Sequence, residues 1–347
     1  MPTAEQTKIT KPSPLLDQQG QLIQVGWARQ PILDCNLEQA NFYRWKRLQR
    51  FRIKRWDYYG ITTPTHFFSF TLADLGYAGQ AFTYVVDFER REYHEETYTI
   101  PLARGLNLPR NSSLGMSSYE NRRIRVRFQV EDSCRLISVT WPGFWGKGLA
   151  AALRLRLQEN QESMAIVIPI GEKRFYYNRK VNCIPVNGWV DLGDKRHVLS
   201  PVDCLGNLDW GRGVWEYRSH WVWASASGYL PDRRTAGLNL GFGFGDTSSA
   251  TENAFILDGR IDKLGQVDFE YQKNDYMKPW KMVSSDGRLK LEFKPVLERV
   301  AKTNLLLISS NVHQVFGRYF GSFTTRDGEH IDIEGLPGFA EEHHARW

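Results

Sequence analysis

Apolar and polar positions alternate with a period of two along most of the chain. From Arg123 to Val130, Ile124, Val126, Phe128 and Val130 fall on one face and arginine or glutamine on the other. Leu289–Lys294, Val267–Tyr271 and His330–Glu334 repeat the pattern. Half-buried antiparallel strands produce it, because successive side chains point to opposite sides of a sheet. The pairs Asp258-Gly259, Asp286-Gly287 and Asp327-Gly328 separate such runs and supply the positive φ of tight hairpins. From about Ser227 onward the chain reads as strand, glycine turn, strand, which predicts an up-and-down barrel or strongly curved sheet.

The first half has its own strand set, predicted at 45–56, 66–72, 81–88, 96–100, 124–130, 135–141 and 165–170. Asn36–Leu48 fits a short helix. Gly148–Leu157 fits either a helix or a strand, since Leu153, Leu155 and Leu157 alternate with arginines. No strand–helix–strand rhythm appears, which argues against a doubly wound α/β fold. A length of 347 residues suggests about two domains. The expected architecture is all-β, with two antiparallel barrels or strongly curved sheets side by side. Residues 20–194 form the first domain and residues 195–347 the second, with Asn182–Pro201 passing between them.

Composition adds one unusual feature, 12 Trp, 15 Tyr and 19 Phe. Four of the tryptophans fall between Asp209 and Gly228: Trp210, Trp215, Trp221 and Trp223. On a strand, Trp221, Trp223 and Ser225 share one face, and His220, Val222 and Ala224 the other. Two indoles on one face either fill a barrel core or form a flat apolar wall with N–H donors at its rim. Asp209 and Arg212, across a glycine-flanked bend, either pair with each other or leave Asp209 as a proton-transfer group. Glu252 is the candidate second carboxylate, and a pair of carboxylates is what glycoside-type acid/base chemistry requires. Asn239 is the one polar member of Gly237–Gly245. The candidate catalytic residues are therefore Asp209 and Glu252. The candidate ligand contacts are Trp210, Arg212, Trp215, Tyr217, Trp221, Trp223, Asn239 and Asn253.

Other chemistries lack support. The eight histidines show no HExxH or HxH spacing and the four cysteines no CxxC pair, so no metal is expected unless distant strands assemble its site. Gly241-Phe242-Gly243 is neither a phosphate loop nor a dinucleotide fingerprint, and no cofactor is expected. The net charge of +6 is a mild excess. The basic run Arg44–Arg55, interleaved with Trp45, Phe51 and Trp56, reads as the solvent face of a strand, and no nucleic-acid partner is expected. No apolar run reaches the ~20 residues of a membrane span, and the N-terminus has no signal-peptide core. A cytoplasmic location with reduced thiols is the expectation.

At Asp209-Trp210-Gly211-Arg212-Gly213, Trp221-Val222-Trp223, Gly237–Gly241, Thr251-Glu252-Asn253, Pro279-Trp280, Gln314–Gly317 and Arg346-Trp347, the chain resembles a mainly bacterial family, domain of unknown function 2804. Trp56–Tyr59 and Ala73–Gly79 extend the resemblance into the first half, and Glu216 departs from the family's proline. The Trp-Gly and Trp-x-Trp signature is also similar to that of tocopherol cyclases and hydroxyneurosporene-synthase-like lipocalin proteins. That likeness implies two lipocalin-like barrels with a cavity in or between them, and cofactor-free, proton-assisted chemistry on isoprenoid or polyene substrates. The expected partner is a small apolar or amphipathic molecule. A carbohydrate-active protein and a non-catalytic binding protein are the alternatives.

Overall fold

The computed structural model describes residues 5–131, 133–305 and 308–346. Trp347, part of the C-terminal resemblance, lies outside them. The alternating runs become strands in two large antiparallel sheets. The first has 13 strands. Its main path runs Glu92–Pro101, Ala78–Asp87, His66–Asp74, Ile53–Thr62, Leu205–Val214, Arg174–Leu192, Leu149–Arg156, Cys134–Trp141, Arg125–Glu131 and Gly115–Glu120. The second has nine strands, from Arg260–Lys263 through Arg218–Tyr229 and His330–Arg346 to Val267–Glu270. Each sheet curls around its own apolar core, built from residues such as Phe68, Phe128 and Trp210 in the first and Val222, Leu238 and Phe323 in the second. These are the two curled antiparallel halves that the periodicity implied.

The three Asp-Gly pairs all fall in tight connections between strands, with Gly259, Gly287 and Gly328 at φ of 74°, 71° and 90°. Gly148–Leu157 resolves as the strand Leu149–Arg156. Two expectations change. Asn36–Leu48 holds only a 3₁₀ turn at Leu37–Gln39 and a helical turn at Lys46–Gln49. The basic run is not one strand face either, because the strand begins at Ile53 and Lys54 is buried. Its ammonium donates to the Leu75 carbonyl at 2.5 Å and lies over the Tyr77 ring. Burial, then Arg52, pushes it down to about 7.

Residues 182–192, expected as a passage between halves, continue the 19-residue strand Arg174–Leu192 at the centre of the first sheet. The expected division at residue 195 falls ahead of Leu205–Val214, which also pairs in the first sheet. The chain crosses to the second sheet between Val214 and Arg218. The tryptophan-rich stretch is thus split between the two sheets.

A bulge between Val181 and Ile184 docks one sheet on the other. It turns Asn182 outward, and the Asn182 amide donates to Ser225 Oγ and to the Ala226 and Leu238 carbonyls at 2.9–3.2 Å. The Cys183 N–H donates to Ser227 Oγ at 3.0 Å. Beside this seam a shared aromatic cluster joins Tyr58, Phe67 and Tyr84 of the first sheet to Trp223, Phe316 and Phe339 of the second.

Candidate functional site

Register fixes which side chains meet. On adjacent strands of the first sheet, Tyr58, Asp209 and Lys180 are direct partners, so all three project from the same face. In the second sheet, Trp223, Glu341, Gln314 and Arg299 form a comparable row across four strands. The two rows face each other across a cavity of about 520 Å³ lined from both sheets. That volume suits a small organic molecule, whose pockets run roughly 300–1,000 Å³.

The centre of the cavity is ionic. The Lys180 ammonium lies 3.3 Å from Asp209 and 3.4 Å from Glu252, and 3.9 Å from the centre of the Trp223 ring. Burial works against the ammonium, but the two carboxylates outweigh it and hold the Lys180 pKa above its ordinary value. Burial raises Glu252, with Lys180 opposing. Asp209 also accepts from the Asn178 amide. Two buried carboxyl groups thus share one buried ammonium.

Glu252 reaches the cavity because its loop is tied down on both sides. Asn253 accepts from the Gly241 N–H at 2.7 Å and donates to the Gly265 carbonyl at 3.0 Å. Lys263 donates to the Thr251 carbonyl. A Cβ on Gly241 would stand 2.2 Å from Glu252 Oε1, so only glycine leaves room for that carboxylate. Asn239 accepts from the Trp223 indole at 2.7 Å and donates to the Glu252 carbonyl at 2.8 Å, linking the aromatic wall to the acidic loop.

Glu341 is a third carboxyl group at the wall. It accepts from the Trp221 indole at 3.2 Å and from the Gln314 amide at 3.1 Å. Burial pushes it up to about 7, against the lowering pull of Trp221 and Arg299. Beyond it, Arg299 bonds Glu95 at 2.8 Å and Gln314 at 3.1 Å, and the Tyr58 and Tyr84 hydroxyls bond each other at 2.8 Å. His343 packs against Trp221 and is pushed down to about 3 by burial and by Arg299, so it is neutral.

The structure sorts the residues singled out from sequence into three groups. Asp209, Glu252, Trp215, Trp221 and Trp223 all line the cavity. Trp221 and Trp223 share the face inferred for them, while Val222 and Ala224 enter the second core on the other. The indole wall therefore stands between the halves, outside either curled core. Trp215 packs against Trp56 and Tyr176. Asn239 and Asn253 lie one layer behind the wall.

Trp210, Arg212 and Tyr217 do not line the cavity. Asp209–Gly213 is continuous strand, so residues three apart point to opposite faces. Arg212 therefore cannot pair with Asp209. It turns into the first core, meets Asp57 at 2.9 Å and stacks over Trp210. Tyr217 is exposed on the crossing between sheets. Sequence reasoning missed Lys180, Glu341, Arg299 and Tyr58. For Lys180 a signal existed: Asn178, Arg179 and Lys180 interrupt the apolar run from Phe175 to Val186.

Among solved structures, the chain is similar to CghA with Sch210972, at a TM-score of 0.54 and 12% identity over 85% of this chain and 88% of that one. It is also similar to kievitone hydratase from Nectria haematococca, at a TM-score of 0.46 and 11% identity over 85% and 88%. The likeness to CghA establishes the shared fold. No curated protein matches the sequence. No helix among the described residues is long and apolar enough to cross a membrane. The family model for domain of unknown function DUF2804 matches residues 6–347, and the chain belongs to that family.

Proposed function

We propose that the protein binds an apolar or amphipathic small molecule between its two sheets and transforms it by proton transfer, without a cofactor. One observation carries this reading: two buried carboxylates and a buried ammonium stand beside an indole wall in a cavity of ligand size. Structural ion pairs are usually matched in charge. An unmatched set is costly to bury, and such sets cluster at functional sites. Trp221, Trp223 and Trp215 supply flat apolar surface for the ligand. Glu341 keeps its proton up to a pH of about 7, which suits a general acid, and Asp209, 3.3 Å from the Lys180 ammonium, is the carboxyl group placed to accept a proton. The fold neighbour CghA was solved with the compound Sch210972, which fits a small-molecule role for this architecture.

Carbohydrate chemistry fits less well. Asp209 and Glu252 are close enough for a glycosidase pair, since both reach one ammonium. That ammonium, however, fills the space between them where the glycosidic oxygen would have to sit.

The test is to incubate purified protein with a total lipid extract, re-isolate it, and identify retained compounds by mass spectrometry. Wild type is expected to enrich an apolar compound. Trp223→Ala should lose it, and Asp209→Asn should retain it as the unconverted compound, resolved by chromatography from the product that wild type releases. Recovery of no compound by wild type would overturn the reading.

A further inference from the structure

The strands that carry Trp221 and His343 into the cavity present a second polar cluster on their opposite face. His220 and His344 are direct partners across Arg218–Tyr229 and His330–Arg346. Glu342 lies two residues before His344, on the same face. His220 Nε2 is 3.0 Å and His344 Nε2 is 3.3 Å from the same oxygen, Glu342 Oε1. Ligand atoms from all three residues lie within 4.8 Å of one another. Bonds of about 2.0–2.1 Å to a tetrahedral ion put neighbouring ligand atoms roughly 3.4 Å apart. The two histidine–carboxylate separations are close to that.

We propose that His220, Glu342 and His344 form a binding site for a divalent transition-metal ion of the zinc class. The donor set is two imidazole nitrogens and one carboxylate oxygen, which suits zinc, cobalt or nickel better than the all-oxygen sites of magnesium or calcium. Glu342 is only 1% exposed, whereas the His220 and His344 side chains are 30% and 54% exposed. The carboxylate is therefore a fixed base, and the fourth coordination position opens to solvent. The other oxygen, Oε2, accepts the Tyr276 hydroxyl, an outer contact of the kind that orients a metal-bound carboxylate. Tyr276 is itself held by stacking against His313.

Lys273 competes for the same place. Its ammonium lies 3.5 Å from Glu342 Oε1, but the side chain is 70% exposed and free to swing into water. A metal ion and this ammonium exclude each other, which gives the proposal a signature that a plain surface ion-pair network lacks.

The test uses the full chain, stripped with chelator, in calorimetric titration with Zn²⁺ and in absorption titration with Co²⁺. Wild type is expected to bind one equivalent of each, with the intense visible bands of four-coordinate cobalt. His220→Ala and His344→Ala, both at partly exposed positions, should bind at least tenfold more weakly while keeping the wild-type circular dichroism spectrum. Lys273→Gln should bind more tightly. Absence of binding by wild type, or unchanged affinity in both histidine variants, would overturn the site. Ligand retention in the inter-sheet cavity is expected to persist in these variants, so the two proposals fail separately.

Discussion

The strand Leu205–Val214 carries a buried ion group on each face, and the two are built differently. On the face toward the first core, Arg212 and Asp57 are one cation and one anion. The guanidinium also donates to the carbonyls of Trp56, Gly211 and Pro109 at 2.8–3.0 Å, and Asp57 accepts from Ser117. On the face toward the second sheet, Asp209 and Glu252 share Lys180, and no hydrogen bond with good geometry reaches either oxygen of the Glu252 carboxylate. The first group is matched in charge and tied to the surrounding backbone by the guanidinium. The second sets two carboxyl groups against one ammonium and borders the cavity. Burial alone does not distinguish the two groups; on the proposed reading, the one that borders the cavity is the one that does chemistry.

That contrast is open to test, beginning with the largest effects. In the matched pair, removing either partner strands a buried charge, so Arg212→Met and Asp57→Asn should each cost roughly 3–5 kcal/mol. In the unmatched group the response should be one-sided. Lys180→Met leaves two adjacent carboxylates and should cost a similar amount near pH 8, and less near pH 5, where a proton replaces the lost cation. Urea denaturation at the two pH values measures both. Equal costs for Lys180→Met and Asp209→Asn would dissolve the distinction.

The next effect is pH-dependent. The native Glu341 pKa is raised from 4.5 to about 7, so between those values the folded chain holds a proton that the unfolded chain has released. Stability should therefore fall as pH rises through this window and stay lower above it, by up to about 3 kcal/mol. Glu341→Gln should flatten the profile, and a profile unchanged by that substitution would assign the dependence to other groups.

Steric changes are smaller. Gly241→Ala drives a methyl into Glu252 and should cost about 1–3 kcal/mol and weaken ligand retention. Gly143→Ala meets nothing within 4 Å and serves as a neutral control. The smallest stability change is expected for Asp209→Asn, within ~1 kcal/mol, because it brings the group to one cation and one anion. It should nevertheless abolish turnover. A variant that remains fully active would leave Asp209 a structural role only.

Much of this was legible in the chain. Alternation at Arg123–Val130 and Leu289–Lys294 gave strands where strands occur, because one face of each is buried and the other wet. The Trp221–Trp223 face followed from the same period. The basic run was misread because charge was taken as a sign of exposure, whereas Lys54 spends its charge on a carbonyl and a tyrosine ring. The helix expected at Asn36–Leu48 shrank to two short turns, since it has no broad apolar stripe to bury.

By itself, the sequence determined the periodicity, and with it the all-β class, the hairpin turns, the two curled halves and the shared face of Trp221 and Trp223. These are local properties, set by the pleat of a strand and by glycine at positive φ. Only the tertiary structure decided what meets across strands. It sent Arg212 to Asp57 and away from Asp209, brought Lys180 between Asp209 and Glu252, and set His220 opposite His344. Register and sheet docking make those choices, and both depend on residues tens to hundreds of positions apart. No window along the chain contains both partners.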